Sequence, residues 1–409
     1  MNCRFCGREL SVEFIDLGNA PPSNSFLTLE QLNEPEVFFP LKLYVCDGCF
    51  LVQIDEYKRS DEIFSNDYVY FSSFSRTWLE HAEKYVEMML RRFGYDGRSQ
   101  VIEIASNDGY LLQFFQGRAI PCLGIEPAGG TAEEARKKGI ETIVDFFGTA
   151  LAEDLRARGR LADLVIGNNV LAHVPDINDF VEGLRIILKD DGVITMEFPH
   201  VMQLLAQNQF DTIYHEHFSY LSFTTVRKIF QRHGLDIFDA EELETHGGSL
   251  RIFGKHAEDV SKPESPAVAA LIAREGALGM TGMDYYRGFQ KRADGIKDDL
   301  LEFLIGAKRG GKTVAAYGAA AKGNTLLNYC GVRKDLISFV VDASTYKQGK
   351  FLPGSHIPVV GEDILKARMP DYVIILPWNI QREIMEQLAY IRQWGGRFVV
   401  PVPEVSVVP

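Results

Sequence analysis

The 409-residue sequence predicts an α/β fold: a doubly wound sheet in the middle of the chain, a small metal-clasped module before it and a smaller α/β sheet after it. Three observations carry that expectation. Residues 101–115, VIEIASNDGYLLQFF, read as a buried parallel strand, a loop of small residues and a helix. The same order returns in residues 313–330, TVAAYGAAAKGNTLLNYC. Ahead of both, four of the six cysteines stand in two pairs, Cys3-x2-Cys6 and Cys46-x2-Cys49.

The length exceeds what one hydrophobic core serves, so three compact parts are expected, over residues 1–73, 74–258 and 259–409. No apolar run approaches the ~20 residues needed to cross a bilayer, and MNCRFCGREL has no apolar signal core, so a cytoplasmic location without membrane attachment is expected. A net charge of −13 argues against a sequence-independent grip on nucleic acid, while leaving room for a local anion pocket. A monomer or weak homo-oligomer is expected.

In the first part, two residues between cysteines let both thiolates of a tight turn face one cation. Two such turns complete a closed all-sulfur shell for structural zinc, with Cys3, Cys6, Cys46 and Cys49 as ligands. Around them the segment is rich in turn residues, so much of its folding energy should come from the ion.

In the middle part, four successive strand ends aim polar groups at one rim, where open α/β sheets bind ligands. The first end is the loop Ser106–Gly109, whose backbone N–H groups can meet a carboxylate or a phosphate. No G-x-G-x-x-G is present to cradle a pyrophosphate. A second strand, CLGIEP, ends at Glu126, placed to hold both ribose hydroxyls, and Asp145 with Phe146 suits an adenine edge and face. A fourth, ADLVIGNNVLAHV, brings Asn168, Asn169 and His173.

This run of motifs, EIASNDGYLL, GIEP, DFF and NNVLAHVPD behind the paired cysteines, resembles the sugar C-methyltransferase family. The resemblance covers nearly the whole chain. It implies a zinc module, a class I S-adenosylmethionine methyltransferase sheet and a carboxy-terminal Rossmann-like domain that binds a nucleotide sugar. It further implies that Glu103, Ala105, Ser106, Asn107 and Gly109 surround the methionine part of the donor, Glu126 and Pro127 its ribose, and Asp145 and Phe146 its adenine. Asn168 and Asn169 line the rim near the reacting carbons. Ala105 departs from the family's usual glycine, and its methyl group narrows the approach to the donor.

After a fifth strand and helix comes TIYHEHFSYLS, residues 212–222, which leaves the sheet near the same rim. A carbon nucleophile requires removal of a proton beside a ketone, and Tyr214, Glu216 and His217 offer a base, an enolate-stabilising hydroxyl and an orienting carboxylate. In the family Y-H-E-H is the signature, which implies His217 as base with Tyr214 and Glu216 as partners; Tyr214 as base is the competing assignment. His215, one position off, should point away along an extended segment. The resemblance also places a tyrosine over the sugar, with Tyr70 fitting best and Tyr68 in reserve, and matches His173 to an active-site histidine.

In the third part, small residues 318–321 let a backbone approach an anion, and Lys322 with Asn324 can hold a diphosphate at the helix start. An NAD site and a scaffold without ligand are the other readings of this loop. Arg251, in THGGSLRIFG, is a candidate anion partner at the cleft. The expected reaction moves a methyl group from S-adenosylmethionine to the carbon beside the ketone, C-3, of a nucleotide-linked 4-keto-deoxysugar. An N- or O-methyltransferase and a non-catalytic binding protein for the same ligands are the alternatives.

Overall fold

In the computed structural model, which describes residues 1–59 and 71–408, the strands gather into three sheets. Tyr68 and Tyr70 lie outside the described residues. The front of the chain forms β1 (Val12–Ala20), β2 (Phe39–Val45) and β3 (Val52–Ile54), paired antiparallel in that order.

The middle sheet is built from β4 (Val101–Ile104), β5 (Cys122–Ile125), β6 (Thr142–Ile143), β7 (Ala162–Asn168), β8 (Leu188–Pro199), β10 (Leu235–Leu243) and β11 (Ser249–His256). Their order is β10-β11-β8-β7-β4-β5-β6; β4 to β8 run parallel, and β11 enters antiparallel beside β8. All four residues of β4 are buried, which explains its unbroken apolar reading apart from Glu103. One face is covered by the helix Arg76–Phe93, started by the Ser75 side chain accepting the Trp78 amide and ended by Gly94 at φ 71°. Because β4 has β5 on one side and β7 on the other, the loops after β4 and β7 open into one crevice.

The third sheet repeats the arrangement with β12 (Val314–Tyr317), β13 (Val340–Val341), β14 (Val359–Val360), β15 (Tyr372–Ile375), β16 (Arg397–Val400) and β17 (Ser406–Val408). It is ordered β14-β13-β12-β15-β16-β17 and is parallel apart from β17. The strand read from ISFVVD shortens to the two residues of β13.

A short strand unanticipated in sequence ties the parts together. β9 (Ser219–Tyr220) leaves the middle of the chain to become the fourth strand of the front sheet, with Tyr220 opposite Val52 and Ser219 opposite Gln53. Two residues are too few to show a period-two pattern. The front sheet also packs on the third part, where Phe14 stacks on Phe289 at 5.0 Å. Among the described residues no helix is long and apolar enough to cross a membrane.

Candidate active site

The four front cysteines converge as their spacing predicts. Their sulfur atoms all lie within 4.8 Å of one another, with Cys3 to Cys49 and Cys6 to Cys46 both at 3.5 Å. A tetrahedron of ~2.3 Å zinc–thiolate bonds has edges of about 3.8 Å, so the set fits the ion. Each knuckle closes through a left-handed residue, Gly7 at φ 77° and Phe50 at φ 65°, whose amide donates to the carbonyl of Cys3 or Cys46. Gln53, fully buried in β3, donates to Cys3 Sγ at 3.2 Å and so joins the metal shell to the strand that carries β9.

At the mouth of the crevice three of five consecutive residues take the left-handed conformation: Ala105 (φ 55°), Asn107 (φ 51°) and Gly109 (φ 73°). For Ala105 the family glycine therefore has a backbone reason, beyond the space expected in sequence; a side chain there costs ~1–2 kcal/mol. At Gly109 an added Cβ meets Ile140 Cδ1 at 2.4 Å. Gly109→Ala is expected to cost about 1–3 kcal/mol, read as a lower Tm, and to weaken S-adenosylhomocysteine binding measured by calorimetry.

Polar atoms without partners among the described residues collect along this rim. Ser106 Oγ, Asp108 Oδ1, Asn168 Oδ1 and Asn169 Oδ1 are buried with no hydrogen bond among the described residues. Glu103 is fully buried with Tyr110 as its polar neighbour, and burial pushes its carboxyl well above the usual range. Buried polar groups are ordinarily satisfied, so such a set fits a bound molecule with cationic and hydroxyl groups. Glu126 shows the opposite state: Oε2 accepts the Asn107 amide and Oε1 the Ala128 amide, both at 2.9 Å, and the Thr131 hydroxyl also acts on the carboxylate. Pro127 follows it in the turn before the helix Gly129–Lys137. Asp145 caps its own turn at the Phe146 amide, and Phe146 stands 43% exposed beside it, an uncovered aromatic face.

Across the crevice lies the Y-H-E-H segment. His217 Nδ1 is 2.9 Å from the Thr212 carbonyl, an acceptor only, so Nδ1 carries the hydrogen and Nε2 the lone pair. Burial, reinforced by His173, holds the His217 imidazole well below its ordinary value, hence neutral. The Tyr214 ring lies 3.9 Å from it and the His173 ring 4.6 Å, centroid to centroid. His173 is itself fixed by Nδ1 to the Glu216 carbonyl at 2.7 Å, and burial lowers it to about 4. His215 turns away, as expected, toward the Pro40 carbonyl and the Phe39 and Tyr57 rings.

Three expectations need correction. Glu216 does not orient His217: its carboxylate accepts the Asn24 side chain at 2.8 Å, and the Thr212 carbonyl takes over the orienting role. Arg251 is 4% exposed and already paired with Glu197 and Glu241, each at 2.9 Å, so it braces strand β11 rather than meeting an anion. Asn324 is 1% exposed and turned to the Ser23 carbonyl, away from any diphosphate. Lys322 Nζ is 2.7 Å from Asn379 and 4.7 Å above the Trp378 ring, and its charge disfavours protonation of His217.

Sequence reading missed Trp378, Asn379 and Asp211. The signal for the first two was available, since PWN directly follows the strand YVIIL and so falls at its ligand-binding end. Asp211 is fully buried, accepts Trp378 Nε1–H at 2.7 Å, and burial raises it to about 6.

Three family models match successive stretches of the chain. Residues 3–64 match a family model for a zinc binding domain, residues 78–240 one for a methyltransferase domain, and residues 244–403 one for a C-methyltransferase C-terminal domain. The chain is 36% identical over 406 residues to the C-methyltransferase NovU of Streptomyces niveus, covering 99% of this chain and 96% of that protein. Among solved structures, magnesium protoporphyrin IX methyltransferase of Synechocystis PCC 6803 with bound SAM is 16% identical, covers 43% of this chain and 77% of its own, and gives a TM-score of 0.33. A SAM-dependent methyltransferase of Anabaena variabilis is 16% identical over 43% of this chain and 85% of its own, with a TM-score of 0.36.

Proposed function

The chain belongs to the C-methyltransferase family and is an S-adenosylmethionine-dependent enzyme of it, and from that premise we propose that its acceptor is the carbon beside the ketone, C-3, of a nucleotide-linked 4-keto-deoxysugar. The observation that carries the proposal is the neutral His217, its tautomer set by the Thr212 carbonyl, against Tyr214 at the edge of the crevice. Such a group can take a proton from a carbon beside a ketone, the step that a carbon acceptor requires before it can attack the methyl group.

His217 Nε2 takes the proton from C-3, and the Tyr214 hydroxyl stabilises the enolate oxygen that results. His173 holds the His217 ring in place, edge against face. The donor supplies an electrophilic methyl group. Glu103, Ala105, Ser106, Asn107 and Gly109 are assigned to its methionine part, Glu126 and Pro127 to its ribose, Asp145 and Phe146 to its adenine, with Asn168 and Asn169 between donor and acceptor. Lys322, at the start of the helix Ala321–Tyr329 and close enough to influence His217, is assigned to the diphosphate.

The domain division proposed is 1–73, 74–258 and 259–409, with β9 crossing the first boundary. Incubation with labelled donor and a panel of nucleotide-linked keto sugars tests the reading. Label at C-3 is the expected result; label on oxygen or nitrogen, or none with any keto sugar, overturns it.

A further inference from the structure

Methyl transfer to carbon leaves one proton over: the acceptor C–H bond and the donor S–CH3 bond break, a C–C bond forms, and the proton stays on the base. His217 is buried and must lose that proton before it can act again. The structure contains a set of groups that the chemistry so far does not use. Beside His217 lies a cavity of about 20 Å³, lined also by Thr212, His200, Ser219 and Tyr220. That volume admits one water, which needs roughly 10–15 Å³ and two to four polar partners.

Polar partners are at hand. His200 and Ser219 line the cavity, and His200 Nδ1 and Ser219 Oγ are buried with no hydrogen bond among the described residues. Tyr220 lines it too, its hydroxyl beside the Tyr214 backbone. His200 is 1% exposed, and its Nε2 lies 2.7 Å from Glu275 Oε1. A carboxylate accepts, so Nε2 carries the hydrogen and Nδ1 a lone pair that calls for a donor. Glu275, fully buried, also accepts the Phe223 and Thr224 amides at 2.7 and 2.8 Å. Burial works to raise its carboxyl, but these partners hold it below the usual range, so it stays ionised beside His200.

We propose that the cavity holds one ordered water, and that this water and the His200–Glu275 pair store the proton His217 takes from the acceptor. The step balances at Nε2: the Nε2–H of the His217 imidazolium, the proton taken from C-3, goes to the water oxygen as the water gives one of its own to His200 Nδ1, while Nδ1–H stays on the Thr212 carbonyl. Neutral His217 and water are regenerated, and His200 carries the charge against ionised Glu275. After the products leave, His200 returns the proton along the same path to solvent. The proposal rests on His217 being the base.

Two measurements test it. A high-resolution crystal structure of the full chain should show a water within hydrogen-bond distance of both His200 Nδ1 and Ser219 Oγ; a dry cavity overturns the proposal. In deuterium oxide without donor, a thymidine-diphosphate-linked 4-keto-deoxysugar should take up deuterium at C-3, because its proton mixes with deuterons of the store. His200→Gln should slow that uptake by about 10-fold relative to single-turnover methylation. A structural role would slow both together, and an unchanged ratio of the two rates rejects the store. Should His200→Gln fail to fold, Ser219→Ala takes its place, with uptake about 3-fold slower expected and an unchanged rate again contrary. If the unaltered protein takes up no deuterium although the water is seen, the assignment of His217 fails and the store fails with it, while the water site stands.

Discussion

Replacing His217 by Asn is expected to lower kcat by about 10²–10⁴-fold and to abolish deuterium uptake at C-3, with S-adenosylhomocysteine bound as tightly as before. Asn is close to imidazole in size and keeps an N–H for the Thr212 carbonyl, yet offers no basic nitrogen. Tyr214→Phe separates the two candidate bases: if uptake survives His217→Asn and disappears in Tyr214→Phe, the phenol is the base. The pH profile gives an independent check. Because burial lowers His217, it is protonated only well below 6.5, so the acid limb of kcat/KM should fall below the ordinary imidazole value. The same sign governs stability. His173, at about 4 in the fold and about 6.5 when unfolded, binds its proton more readily in the unfolded chain, so stability is lost as pH falls from about 6.5 toward 4.

Stripping the metal should have an effect of comparable size by a different route. A structural zinc held by four thiolates contributes apparent binding energy of about 10–16 kcal/mol that is also folding energy. In this chain the consequence reaches the catalytic segment, because β9 immediately follows the Y-H-E-H loop and pairs with β3, which itself follows Cys49. The Ile54 amide also donates to the Phe218 carbonyl at 3.2 Å, and Thr225 Oγ1 to the Cys49 carbonyl at 3.1 Å. Chelation, or Cys46→Ser, is expected to release zinc, lower Tm and abolish methylation while leaving donor binding at the far rim weakened but measurable. Full activity after complete loss of zinc would show that the loop stands without the module.

Much of this architecture was legible in the sequence where the signal is local. The paired cysteines and the two strand–loop–helix units need few residues to declare themselves, and each stands where expected. Long-range pairings were hidden. Nothing in YHEHF announces that Glu216 will meet Asn24 or that His217 will lean on Thr212, since both follow from the path the loop takes once β9 joins β3. Arg251 was misread for a related reason: one carboxylate partner, Glu197, comes from β8, its neighbour in the sheet but 54 residues away in the chain, and the other, Glu241, sits across the β10–β11 hairpin. The orphaned atoms around the small cavity become visible in three dimensions alone, because His200, Ser219 and Glu275 belong to separate elements.

The account depends most on where the two candidate bases stand relative to the acceptor carbon. A crystal structure of the complete chain with S-adenosylhomocysteine and a nucleotide-linked 4-keto-deoxysugar tests that most directly. His217 Nε2 or the Tyr214 hydroxyl should lie within roughly hydrogen-bonding range of C-3, about 3–3.5 Å. If both side chains instead turn outward, more than about 8 Å from that carbon and far beyond any hydrogen bond, neither can remove its proton and the assignment is wrong.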